Sequence, residues 1–140
     1  MSKGLSIFLI SITVFAVTTA TVLGIVFFVL GKDDEKDKEL TIDDMNEYSF
    51  ETAEITTDLM DGRFVRVQFR VITDGKDALK EVEKRDFQIE NILIKELSAM
   101  EEEDFTTGLD QVEQTLQTKM NEIMTEGQIV EVYTVRKILQ

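Results

Sequence analysis

GRFVRVQFRVITDG, residues 62–75, alternates apolar and polar side chains with a period of two. Val65, Val67, Phe69 and Val71 fall on one face and Arg66, Gln68 and Arg70 on the other, as in a strand with one buried face and one wet or paired face. The strand is expected over Arg63 to Thr73. Upstream, Phe50 to Leu59 reads as its hairpin partner, with Asp61-Gly62 at the tight turn because glycine tolerates positive φ.

Downstream of Thr73-Asp74-Gly75 the period becomes helical. Leu79, Val82, Ile89, Ile92, Leu93, Leu97 and Met100 share one stripe of a helix predicted from about Asp77 to Ala99. Glu96 lies in the same stripe, at a frayed end or snorkelling at the rim. Phe87 and Ile94, seven apart, fall well off it; they are expected to pack under the strands or the tether, the other reading being a partner or oligomer face. A second helix is predicted over Thr107 to Thr125. Phe105, Leu109, Val112, Leu116, Met120 and Ile123 make its seam, with Gly127 as a left-handed cap. Ile129 to Leu139 completes the order as a strand, β-branched residues alternating with Glu131, Tyr133 and Arg136. Strand, strand, helix, helix, strand over residues 48–140 describes a small α+β domain, large enough for one core but thin in stability margin, so that self-association would help it.

Before Tyr48 the composition changes twice. Residues 32–47, KDDEKDKELTIDDMNE, hold eight acids and three bases and are expected to form a solvated acidic linker. From Gly4 to Gly31 no residue is charged. As a helix that run would be roughly 42 Å long against a hydrocarbon core of about 30 Å. Its Ser and Thr hydroxyls can bond back to the helix backbone. A cleaved leader would have an apolar core of about 7–15 residues and a small-x-small site, and Thr18-Thr19-Ala20 is a poor one. Residues 1–31 therefore read as a cytoplasmic amino terminus with an uncleaved single-pass anchor. The flanking lysines favour neither side clearly, and the bulk of the chain after the anchor places residues 48–140 outside the cytoplasmic membrane.

The remaining composition excludes several functions. The chain has no cysteine and no histidine, which removes disulfides, thiolate metal sites and the commonest general base. A formal charge of −13 repels nucleic acid. No phosphate-cradling glycine loop and no local nucleophile-base motif appears, so no enzyme activity, catalytic residue, cofactor or metal is expected. Glu101 to Asp104 lacks the alternating oxygens and glycine of a calcium loop and reads as a solvated helix junction. Ala16, Ala20 and Gly24 repeat every four residues and could give the membrane helix a smooth packing face.

The hairpin strand GRFVRVQFRV, the run Ile89-Glu90-Asn91-Ile92-Leu93-Ile94-Lys95-Glu96-Leu97-Ser98 with Glu103-Asp104-Phe105, and the ending from Asn121-Glu122-Ile123 through Gly127 and Val132-Tyr133 to Ile138-Leu139-Gln140 together resemble the flagellar basal-body-associated FliL family. The resemblance covers more than half of the chain. It implies a non-enzymatic accessory of the bacterial flagellar motor, with an extracytoplasmic domain similar in fold to the stomatin and prohibitin (SPFH) family. Its implied partners are the basal body, the stator units and further copies of itself in a ring, which would support torque. The other reading is a general stomatin-like membrane scaffold or envelope sensor unrelated to flagella.

An aspartate at the centre of the apolar run costs about 2.5–3.5 kcal/mol of insertion. Val17→Asp is therefore expected to lower the fraction of protein resisting carbonate extraction from membranes; an unchanged fraction would refute the anchor.

Overall fold

A computed structural model describes residues 3–30 and 39–140, in two compact units divided between Glu39 and Leu40. Residues 32–38 of the expected linker lie outside the described residues, as do Met1, Ser2 and Gly31. The first unit holds helix α1, Lys3–Leu30, long and apolar enough to cross a membrane. Its threonine hydroxyls donate to the preceding turn as expected, among them Thr18 Oγ1 to the Val14 carbonyl at 2.9 Å and Thr19 Oγ1 to that of Phe15 at 2.6 Å.

The second unit is mixed α+β and runs α2 (Ile42–Glu47), β1 (Ser49–Glu51), β2 (Ile55–Asp58), β3 (Phe64–Thr73), α3 (Lys76–Lys84), α4 (Asp86–Ser98), α5 (Glu102–Thr107), α6 (Leu109–Asn121) and β4 (Ile129–Leu139). Strand β3 is its centre, with β1 and β2 antiparallel along one edge and β4 antiparallel along the other. Val65, Val67, Phe69 and Val71 are all at most 1% exposed. They pack with Ile89, Leu93 and Leu97 of α4, Phe105 of α5, and Val112, Leu116 and Met120 of α6. One face of the sheet is thus covered by helices, as the period-two reading required.

Four boundaries differ from the sequence reading. The strand expected over Phe50 to Leu59 is interrupted after Glu51. The register shifts by one residue between Glu51↔Arg70 and Ile55↔Val67, a bulge. Thr52 holds the break closed: its N–H donates to the Phe69 carbonyl at 2.9 Å, and its Oγ1 accepts the Phe69 N–H at 3.1 Å. After it the hairpin closes as expected, the Gly62 N–H donating to the Leu59 carbonyl at 3.0 Å with Gly62 at φ 85°.

The helix expected over Asp77 to Ala99 breaks at Arg85 into α3 and α4. No glycine or proline marks the break, and the buried positions 78, 82, 89, 93 and 97 keep helical spacing across it, so periodicity alone could not show it. In α3 the inward residues are Ala78, Glu81 and Val82, and Leu79 is only half-buried. Glu96 neither frays nor lies bare: α4 continues past it, and Lys119 Nζ of α6 donates to its carboxylate at 2.5 Å.

The helix predicted over Thr107 to Thr125 starts at Leu109 as α6, and a separate short helix, α5, precedes it across Gly108. A Cβ there would stand 2.7 Å from the Asp104 carbonyl oxygen, so the close turn between α5 and α6 requires glycine. Helix α6 ends at Asn121, leaving Ile123 exposed. Gly127 does have positive φ, 115°, but it caps no helix; it lets the α6–β4 loop pass against Asp74 and Ala78.

Finally, Ile42 to Glu47 is helical rather than extended, and the compact unit begins at Leu40. Thr41 and Asp44 cap α2 reciprocally, the Asp44 N–H donating to Thr41 Oγ1 at 3.2 Å and the Thr41 N–H to Asp44 Oδ2 at 3.0 Å. The helix reaches β3. At that end of the strand Ile72 and Thr73 are also buried, and the Thr73 N–H donates to the Tyr48 carbonyl at 2.9 Å.

Glu81 fastens the α6–β4 loop to α3. Its carboxylate accepts the Thr125 and Glu126 N–H groups at 2.9 and 2.7 Å, and Arg85 pairs with it at 2.8 Å. Burial alone would raise this carboxyl, but the two amides and Arg85 outweigh it and hold the group at about 2 against an ordinary 4.5. A depressed carboxyl stabilises the fold fully above its unfolded value, and that contribution is lost as pH falls from about 4.5 through about 2. Glu81→Gln is expected to destabilise residues 40–140 by about 1.5–3 kcal/mol at pH 7 in denaturant unfolding. The deficit should shrink as the pH is lowered below 4.5; a constant deficit would show that the charge contributes nothing.

Candidate functional site

The exposed surfaces of the chain, rather than an enclosed cleft, carry its candidate sites. On α1, Ala16, Ala20 and Gly24 lie four apart on one exposed face, and a Cβ at Gly24 would meet no atom within 4 Å. The chain's own packing does not dictate that glycine.

Phe87 and Ile94 are not under the strands: they are 65% and 37% exposed. They belong to the row Phe87, Asn91, Ile94, Ser98 at spacings of four, three and four on α4. That row points toward the β2 side of the sheet, because Ser98 Oγ lies 3.3 Å from Thr57 Oγ1 of β2. Asp86 and Glu90 flank it, both exposed.

The sheet face away from the helices is the surface that sequence reasoning missed. Cross-strand partners share a face, so the pairs Arg66↔Ile138, Gln68↔Arg136 and Arg70↔Tyr133 all lie on the open side. Phe64, Tyr133 and Ile138 are exposed there at 57%, 41% and 44%. Charge is divided across this face. Glu51, Glu54 and Asp58 stand on the β1–β2 line and Arg136 on β4, whereas Lys137, opposite buried Val67, lies on the helix side with its Nζ donating to the Thr106 carbonyl at 3.1 Å. Arg70 pairs with Glu51, and Arg136 Nη1 with Glu54 at 3.0 Å; such exposed pairs are each worth about 0–1 kcal/mol. Partial burial, and then the neighbouring Glu131 carboxylate, push the Tyr133 phenol above its usual range.

Along β4 the outer edge is half closed. Asn121 Oδ1 accepts the Ile129 N–H at 2.7 Å, Gln117 Nε2 donates to the Val130 carbonyl at 2.9 Å, and Glu113 Oε1 accepts the Thr134 N–H at 2.7 Å. These α6 side chains stand where a neighbouring strand would, protecting the edge. From Val135 to Leu139 no such plug is present among the described residues. There an open groove of about 400 Å³ runs between Thr106, Asp110 and Glu113 on one side and Val135 to Lys137 on the other.

The acidic run is a helix junction. Glu101 and Asp104 cap α5, and Glu102 pairs with Arg63 at 3.0 Å, an interaction that raises the Arg63 guanidinium. A second open groove of about 440 Å³ lies between this run and Asp61. Among the described residues no group of three or more acidic side chains is arranged to hold a metal ion.

Two comparisons bear on these surfaces. The family described as flagellar basal body-associated protein FliL matches residues 49–140. Flagellar protein FliL of Bacillus subtilis (strain 168) is 31% identical over 117 residues, which is 76% of this chain and 79% of the relative.

Because Phe87 supports no core contact, Phe87→Ser is expected to leave the unfolding free energy of residues 40–140 within about 0.5 kcal/mol. A loss above about 2 kcal/mol, the size seen for core truncations, would show that its side chain is part of the core.

Proposed function

Because the chain belongs to the FliL family of flagellar basal body-associated proteins, and so serves the flagellar motor as an accessory protein, we propose that it rings the motor's stator units. In this reading α1 anchors the protein in the cytoplasmic membrane as a single span, with its amino terminus in the cytoplasm. The 40–140 unit stands outside and is a stomatin-like, non-enzymatic module that self-associates. Such a ring would hold a stator unit in its extended, ion-conducting state and so sustain torque under load.

The observation that carries this reading is the pairing of one apolar helix with a separate small unit that leaves large apolar side chains exposed on two surfaces, the α4 flank and the open sheet face. A monomer gains nothing from Phe64, Phe87 and Ile138 in water; an assembly buries them. The Ala16, Ala20, Gly24 stripe would let anchors pack closely in such an assembly. A short stability margin in a domain of this size works in the same direction.

A fluorescent fusion at the amino terminus is expected to form foci that coincide with flagellar hooks and disperse when the stator units are deleted. Foci that persist without stators would place the protein on the basal body independently of them. A uniform membrane signal would instead favour the general scaffold.

A further inference from the structure

We propose that the carboxy-terminal half of β4 takes an extended, basic segment of a different protein as an added strand, laid along the groove between β4 and the α5–α6 corner.

In an antiparallel ladder, successive residues turn their amide and carbonyl alternately toward and away from the neighbouring strand. Phe64 and Gln140 exchange both bonds, at 3.1 and 2.8 Å. Ile138 and Arg136, in register with Arg66 and Gln68, therefore also turn their backbone groups to β3. Lys137 and Leu139 turn theirs outward, and among the described residues no group meets them. From Ile129 to Thr134 the same edge is filled by Asn121, Gln117 and Glu113 of α6. The fold thus shields one half of its edge strand and leaves the other half as a template for one more strand.

Charge selects what pairs there. Lys137 and Leu139 lie opposite buried Val67 and Val65, so the residues of an added strand that bond to them would project to the helix side. On that side the open groove of about 400 Å³ is lined by Thr106, Leu109, Asp110 and Glu113. Lys137 Nζ is already engaged by the Thr106 carbonyl and lies 5.3 Å from the centre of the Phe105 ring, and Glu113 is engaged by Thr134. Arg136, on the other face, is paired with Glu54. Asp110 is exposed and has no partner among the described residues. It is the uncommitted charge of the groove, and it calls for a lysine or arginine on the helix side of the guest strand. The guest's alternate side chains would fall on the open face beside Ile138, which is 44% exposed, and are best apolar. A second copy of this chain, at a formal charge of −13, would bring more acid to an acidic groove. Such a contact needs no ring of copies and goes beyond one, since it seats a second protein at the edge of each folded unit.

The test uses the full-length protein in a non-ionic detergent, with an end-capped peptide of alternating valine and lysine as the probe. The peptide is expected to bind saturably and to slow deuterium uptake over Val135 to Gln140 several-fold, with uptake in β1 and β2 unchanged. Methylating the backbone nitrogens of its lysines keeps the charge but removes the donors that would face β4; binding should then weaken several-fold, as it should to Asp110→Asn. Equal binding of the plain and methylated peptides would reveal attraction by charge alone and overturn the added strand. Absence of binding, or protection that falls on β1 and β2, would overturn the site, and an unchanged affinity in Asp110→Asn would overturn its basic preference. If uptake over Val135 to Gln140 is already slow in the protein alone and quickens on dilution, a second copy holds the edge and the proposal fails.

Discussion

Every strand of the folded unit depends on β3. β1, β2 and β4 hydrogen-bond to it and, among the described residues, to no other strand, so its alternation sets which way every neighbour faces. With Val65, Val67, Phe69 and Val71 turned inward, the helices have one possible side on which to bury Ile89, Leu93, Leu116 and Met120. A one-residue slip of β3 would turn that whole set outward. The bulge at Thr52 and the irregularities in β4 near Gln68/Phe69 and Ile72/Thr73 adjust the neighbours to β3 without disturbing its own period.

A sheet covered on one side leaves the other side for contact, and here that side is neither fully polar nor uniformly charged. Aromatic and aliphatic side chains sit between arginines on β3 and β4, and acids line β1 and β2. The division follows from topology: strands distant in sequence, Glu51 to Asp58 and Val135 to Ile138, are brought to opposite edges of one sheet by the strand between them. The same topology places the exposed α4 flank beside β2, through the Ser98–Thr57 contact, and α6 beside β4. Helix α6 both fills the core and plugs half of the β4 edge, which confines any further association at that edge to its carboxy-terminal half.

The loop between α6 and β4 closes the helical layer onto the sheet, and it is held by the Glu81 carboxylate as well as by Met124 packed against the core. Glu81 is nearly buried yet satisfied on all sides by two backbone amides, the Thr125 hydroxyl and Arg85. Gly127 and Asp74 complete the junction, where no side chain larger than hydrogen fits. Loss of that fastening would free β4 at its start.

The amino-acid sequence by itself determined the apolar helix, the period-two strands, the Asp61-Gly62 turn, the seam of α6 from Val112 to Met120 and the full length of β4. Each of these is written in local periodicity or turn chemistry, and each was legible for that reason, as was the family. The Thr41–Asp44 capping box was legible too, but the acids around it drew the reading toward an extended linker. Only the tertiary structure decided the break at Arg85, because the apolar stripe runs through it unbroken. The burial of Glu81, the early end of α6 at Asn121 and the exposure of Phe87 and Ile94 were equally out of reach, since each depends on which distant segment arrives beside it. The open sheet face is the clearest case: Arg66 and Ile138 stand 72 positions apart in the chain, and only pairing through β3 and β4 makes them neighbours.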